Sequence, residues 1–312
     1  MIEMDLQKDF SDQLTLEWFP PEILTQIFSF LDARFLQEIV SQLCSKFYAV
    51  ISNEAYWKSR IKKRWPSKYP PIIPTVELKW DQCAVEREEM LKRFGPEAQN
   101  FEGITITKTH YSACDAILLL PIQNQHLMVS GSRDRSLALW DVKGVKGSSD
   151  KTCPKVITKK ADAHGGWVWS LSSNGTSRLI SCGWDNMINV WDVSNDTLNH
   201  ESNINCGNAI LTSSYLNDIV TVGTFDRRIK SYDLRSCNHS KPIEQYSHHK
   251  KPVLSVNLPK RHENFLITAS EDSSLTLIDR RSRRILSKLQ FTDGYPICMD
   301  MMNGDNCLYV SS

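Results

Sequence analysis

Four stretches decide the fold: SGSRDRSLALWDV (130–142), SCGWDNMINVWDV (181–193), VGTFDRRIKSYDL (222–234) and ASEDSSLTLIDR (269–280). In each, an Asp is followed six residues later by an aromatic or aliphatic residue and a second Asp. The sets are Asp134 with Trp140-Asp141, Asp185 with Trp191-Asp192, Asp226 with Tyr232-Asp233 and Asp272 with Ile278-Asp279. The first aspartates are 51, 41 and 46 residues apart, near the ~40–45 residues of a repeat built from four short strands. The longest interval holds the basic, glycine-rich run KGVKGSSDK (143–151).

Each unit reads as strand, tight Asp-bearing turn, strand. Leu137, Leu139 and Asp141 alternate with Ala138 and Trp140, the period of two that a strand requires. An Asp in such a turn accepts hydrogen bonds from nearby backbone N–H groups. His110, His164 and His249 lie 24, 21 and 23 residues before their turn aspartates, and the third unit has no such His. A group copied once per unit is a structural hydrogen-bond device rather than an active site.

Upstream of the repeats the period changes. Ile23, Leu24, Ile27, Phe28 and Leu31 line one helical face behind Pro20 and Pro21, which are tolerated where the first helical N–H groups lack acceptors. Further short helices carry Leu36, Ile39, Val40 and Leu43, then Phe47, Val50 and Ile51, then Tyr56, Trp57 and Ile61. Four helices in so few residues make a small core that gains from a partner. Pro66, Pro70, Pro71 and Pro74 mark a stiff connection. LKWDQCAVEREEMLKRFGP (78–96) reads as one more helix, with Trp80, Ala84, Arg87, Leu91 and Phe94 near one face and Gly95-Pro96 as its stop. It is expected to act as a spacer of defined length.

The fold class is therefore multidomain, α plus all-β. Residues 1–14 form a disordered N-terminus, 15–65 a small helical domain, 66–100 a linker with a helix, and 101–312 an incomplete ring of β units. The 312 residues carry 37 Lys+Arg against 36 Asp+Glu. That balance argues against a nucleic-acid backbone as the main partner. The longest apolar run, Ala116 to Leu120, is too short to cross a membrane. The acidic start MIEMDLQKDFSD lacks a secretory h-region. Nine cysteines without C-x-x-C or zinc-like spacing point to free thiols in a reducing compartment, cytoplasmic or nuclear.

The C-terminal part resembles a WD-repeat β-propeller. FPPEILTQIFSFLDARFLQEIVSQLCSKFYAVISNEAYW (19–57) resembles an F-box, with Phe19-Pro20 where Leu-Pro is usual. Together they resemble the F-box/WD-repeat family. That resemblance implies the substrate-recognition subunit of an SCF-type ubiquitin ligase, itself non-catalytic. The F-box would hold a Skp-family adaptor, and through it cullin and RING subunits, by Pro20, Glu22, Ile23, Leu24, Ile27, Phe28, Leu31, Leu36 and Val40. Part of this set must also form the internal core. The alternatives are a non-degradative WD-repeat scaffold or a truncated competitor of a complete receptor. NCLYVSS (306–312) aligns with FLITAS (265–270), so the chain stops in mid-blade on this register. About four complete blades and the start of a fifth are expected, which points to a fragment or splice form, with a closed four- or five-bladed ring as the other outcome.

In such a propeller the residue before each turn Asp faces the top, where partners bind. The candidate target-binding residues are Asp115, Arg133, Trp167, Trp169, Trp184, Phe225 and Glu271, with Ala113, Pro252 and Leu254 nearby. Exposed tryptophans carry large contact area at low entropy cost; buried, they would pack between blades. One arginine in this set is too few for a phosphate clamp. Arg280, Arg281, Arg283 and Arg284, and the basic loop from Lys143 to Lys160, fall on the opposite face as solvated turns. No metal site is expected: His248-His249 has no carboxylate or Cys at ligand spacing. No cofactor is expected either, because no nucleophile elbow, Walker loop or dinucleotide fingerprint occurs.

Overall fold

The period-two and period-3.6 stretches fold as separate units in the computed structural model. The structure describes residues 16–65, 79–94, 109–122, 125–143, 154–236, 241–292, 294–301 and 308–311. The N-terminal tail, the Pro66–Pro74 segment and most of the KGVKGSSDK insertion lie outside these residues. The chain divides into Met1–Asn100 and Phe101–Ser312.

The first unit is helical. A 3-10 turn, Leu16–Trp18, precedes α1 (Pro21–Phe28), α2 (Ala33–Phe35), α3 (Ser41–Leu43), α4 (Ser45–Ile51), α5 (Glu54–Arg64) and α6 (Trp80–Phe94). Pro20 and Pro21 open α1, with Pro20 extended as its N-cap. Asp32 caps α2 by accepting from Arg34 and Phe35 N–H. A π-helical turn, Leu36–Val40, joins α2 to α3. Asn53 caps α5 through Ala55 N–H. Leu24, Phe28, Leu36, Val40, Phe47, Trp57 and Ile61 form the core. Phe28 meets Phe47 edge to face at 5.4 Å.

The helix expected to act as a spacer of defined length packs into this unit. Its buried face is Cys83, Ala84, Val85 and Glu88, whereas Leu91 and Phe94 of the expected face are exposed. Glu88 is only 2% exposed. Its carboxylate accepts from Arg60 Nε at 2.8 Å, Arg60 Nη2 at 3.1 Å and Ala33 N–H at 2.9 Å, and Arg64 stands 2.9 Å away. Arg60 also donates to the carbonyls of Phe28 and Leu31. One buried ion pair thus ties α6, α5, α2 and the end of α1. A lone buried charge costs several kcal/mol, so the pairing is what makes the burial tolerable.

Among the described residues the second unit holds four antiparallel four-stranded sheets, consistent with WD propeller blades. The first blade is β1 (Cys114–Ile122), β2 (Gln125–Ser132), β3 (Leu137–Asp141) and β4 (Lys155–Lys160). The second is β5 (Val168–Ser173), β6 (Arg178–Gly183), β7 (Met187–Ser194) and β8 (Thr197–Asn205). The third is β9 (Ile210–Leu216), β10 (Ile219–Thr224), β11 (Ile229–Asp233) and β12 (Glu244–Tyr246). The fourth is β13 (Val253–Asn257), β14 (Phe265–Ser270), β15 (Ser274–Asp279) and β16 (Arg284–Gln290). A hairpin, β17 (Cys298–Met301) and β18 (Leu308–Ser311), follows as the start of a fifth. The basic stretch expected to be a loop to Lys160 is therefore partly strand: residues 155–160 pair with β3.

Successive first strands are stitched alike. Ser213 N–H bonds to Ser170 Oγ at 2.9 Å, Val256 N–H to Thr212 Oγ1 at 3.2 Å and Met299 N–H to Ser255 Oγ at 3.1 Å. Apolar clusters fill the layers between blades; one joins Leu137 and Leu139 of the first to Leu179 and Trp191 of the second. Ala138 and Trp140 are buried as well, so the period-two alternation of β3 marks two packed faces rather than one wet one.

Candidate functional site

Three of the four blades brace the turn aspartate through a histidine, the second most completely. His164 Nδ1–H donates to Asp185 at 2.9 Å, the Ser181 hydroxyl donates to His164 Nε2 at 2.7 Å, and Trp191 Nε1–H donates to Ser181 Oγ at 2.8 Å. A carboxylate only accepts, so Nδ1 carries a proton, and in the neutral ring Nε2 is then the acceptor. The first blade repeats it with His110, Asp134, Ser130 and Trp140. The fourth has His249, Asp272 and Thr268, and a buried Ile278 where the tryptophan would stand. In the third, Asn208 donates to Asp226 at 2.9 Å, a partner the search for histidines missed because Asn replaces it at a shorter spacing. Burial works against the charge of Asp272, but bonds from Ser274, Lys250 N–H and His249 hold its carboxyl down at about 2. Burial likewise opposes Asp185, and bonds led by His164 outweigh it and lower its pKa. The histidines are structural.

These braced turns fix the residue ahead of each Asp. The N–H of Arg133, Trp184, Phe225 and Glu271 bonds to the carbonyl of Ala113, Trp167, Ala209 and Pro252 respectively. Beside each contact the first strand bulges by one residue: Asp115, Trp169, Leu211 and Leu254. A bulge re-aims a side chain, here toward the turn in blades one and two. Glycine keeps the approach close at Gly183, where a Cβ would collide with the Trp167 carbonyl.

The result is one group across blades one to three: four rings from the second and third, and Arg133 with Asp115 from the first. Trp184 is its hub: its ring centre lies 5.7 Å from Trp167, 5.9 Å from Trp169 and 5.7 Å from Phe225. Trp167 and Trp169 are near parallel at 6.4 Å. The Arg133 guanidinium sits over both, 5.1 and 5.3 Å from their centres, within cation–π range. Asp115 holds that guanidinium by two bonds of 2.8 and 3.1 Å. Trp167, Trp184 and Phe225 remain 43, 38 and 53% exposed. Six of the seven expected residues thus meet. Glu271 stands apart, beside Lys251 at 3.6 Å.

The adaptor-facing expectation divides in the helical unit. Leu24, Phe28, Leu36 and Val40 are buried, so they hold the fold and do not offer contact. Pro20, Glu22 and Ile23 are exposed, and Ile27 and Leu31 half-buried. Phe30 (89% exposed), Phe35, Ile39, Leu43 and Tyr48 also face solvent. The sequence reading left them out of the contact set: Phe30, Phe35 and Tyr48 fall between the apolar positions it identified, and Ile39 and Leu43 were read as part of a helical face. A cleft of about 530 Å³ lies between α1, α4 and α5, lined by residues including Pro21, Gln26, Lys46 and Tyr56. Among the described residues no helix is long and apolar enough to cross a membrane.

Comparison with known proteins agrees with both units. An F-box-like family model matches residues 19–63. The model of the WD domain, G-beta repeat, matches residues 155–192 and 240–279. F-box/WD repeat-containing protein 9 of Homo sapiens is 33% identical over 92% of this chain and 62% of its own length. That of Bos taurus is 31% identical over the same shares. F-box/WD repeat-containing protein mec-15 of Caenorhabditis elegans is 25% identical over 90% of this chain and 69% of its own. The chain thus spans about three fifths of the first two relatives. An F-box-like segment followed by WD repeats is the make-up these matches give the chain, and in it the chain is similar to the F-box/WD repeat-containing proteins.

Proposed function

We propose that the chain is the substrate-recognition subunit of an SCF-type ubiquitin ligase. Its helical unit holds a Skp-family adaptor, which brings a cullin and a RING subunit. Its blades hold a target protein. The subunit performs no chemistry of its own. It supplies proximity, raising the effective concentration of target lysines at the charged ubiquitin-conjugating enzyme.

The observation that carries this reading is the F-box-like match over residues 19–63 in front of WD repeats, together with relatives of the same make-up. Apolar side chains left exposed by a small helical unit, Ile23, Phe30, Phe35 and Ile39 among them, support it, because a protein of this size rarely exposes so many without a partner. The aromatic group on the blades supports the target-binding half, since tryptophan-rich patches are where binding energy concentrates. Six cysteines among the described residues are free thiols, in keeping with a cytoplasmic or nuclear protein.

Reconstitution tests it. The chain, adaptor, cullin and RING subunit are combined with ubiquitin, activating enzyme and conjugating enzyme. Ubiquitin chains on the receptor or on a co-purified target are the expected result, lost when the adaptor is omitted. Adaptor binding without any ubiquitin transfer would instead mark a non-degradative scaffold.

A further inference from the structure

The turns that carry the aromatic group also carry arginines. The tip of each turn has positive φ: Arg135 at 70°, Asn186 at 67°, Arg227 at 70° and Ser273 at 60°. Arg133 and Arg228 flank two of these tips. Three of the four arginines are already engaged. Arg133 is bonded to Asp115, Arg135 stands 3.7 Å from Asp162, and Arg228 stands 3.5 Å from Asp226. Arg227 is exposed and has no carboxylate partner among the described residues. It lies two residues from Phe225, the most exposed ring of the aromatic group.

We infer that this face takes an acidic segment of its target: an apolar side chain seats against Trp184 and Phe225, and an Asp or Glu carboxylate is met by Arg227. The inference rests on the target-docking role proposed above for the same face and names the class of ligand. Charge complementarity carries it: Arg227, two residues along the turn from Phe225, has no carboxylate partner among the described residues, and a guanidinium binds carboxylates with charge-assisted hydrogen bonds. A phosphate carries up to two charges and calls for several converging donors. Here the other arginines are spent on their own carboxylates. A basic segment would find Asp115 occupied by Arg133 and would meet Arg227 as a like charge.

The test pans a random peptide display library on the intact chain and on the F225A, R227E and W184A variants. Phe225 and Arg227 are exposed, so their replacement leaves the blade core in place. Wild type is expected to enrich peptides pairing Asp or Glu with Leu, Phe or Trp. The R227E pool should lose its acidic excess, and a selected peptide should bind R227E about tenfold more weakly. F225A should weaken the apolar preference. Equal acidic content in the wild-type and R227E pools, or a wild-type pool rich in Lys and Arg, overturns the inference. If enrichment depends on Trp184 but not on Arg227, the docking face stands and the acidic class falls. If wild type enriches nothing, the docking role itself falls.

Discussion

At the residue scale, the stacked pair His248–His249 shows how the fourth blade departs from its neighbours. Their ring centres are 4.2 Å apart, and His248 Nε2 lies 2.7 Å from Thr276 Oγ1. Burial, then the neighbouring His249 and Lys288, push the pKa of His248 from 6.5 down to about 4. Burial lowers His249 as well, against the pull of Asp272. A histidine kept neutral by folding takes up its proton first in the unfolded chain. Its contribution is therefore full above about pH 6.5 and is lost as pH falls toward 4. The turn aspartate loses its own contribution only at still lower pH, from about 3.8 toward 2. The thermal midpoint of the blades should fall between pH 7 and pH 4.5, and His248→Gln should flatten that fall. An equal fall in both proteins would show that the pair does not carry the effect.

At the element scale, α6 tests how the helical unit is held. Glu88→Ala leaves the Arg60 guanidinium buried without its carboxylate, a loss of about 3–5 kcal/mol. Glu89, one residue on, pairs with an Arg34 that is more than half exposed, and its replacement by Ala should cost under about 1 kcal/mol. Hydrogen exchange should show α6 opening in the first variant and not the second, with the blade strands unchanged in both. Equal exchange in the two variants would contradict the anchoring role. This helix also marks a limit of sequence reading. Its existence was legible from periodicity; the expected stop at Gly95-Pro96 lies outside the described residues. Its buried face was not legible, because a Glu is read as solvated until its partner is known, and Arg60 is 28 residues away. The blades were far more legible: turn aspartates, histidines and the strand–turn–strand units all followed from a repeated spacing. What repetition could not supply was the exception, Asn208 for a histidine. Nor could it show the one-residue bulges that bring Asp115 and Trp169 to the turn face.

At the scale of the whole molecule, the two units differ in how much of their surface the sequence disclosed. In the helical unit, side chains from one short stretch split between core and surface: Leu24 and Phe28 inward, Ile23 and Phe30 outward. Periodicity locates such a motif without saying which residues a partner touches, so the expected adaptor set mixed both kinds. In the blades, six of the seven expected residues came together: Arg133, Trp184 and Phe225 because the repeat fixes the position before the turn Asp, Asp115 and Trp169 because the first strand bulges, and Trp167 because its carbonyl accepts from Trp184 N–H. The central claim is that the exposed helical surface holds a Skp-family adaptor independently of the aromatic face. The most direct measurement is co-purification of the intact chain with adaptor and cullin, beside a Pro20→Ala, Ile23→Asp variant and a Trp167→Ala, Trp169→Ala, Trp184→Ala variant. Wild type and the tryptophan variant should retain both partners, and the helical-surface variant should retain neither while still folded by circular dichroism. A folded wild-type chain that retains neither partner would contradict the account.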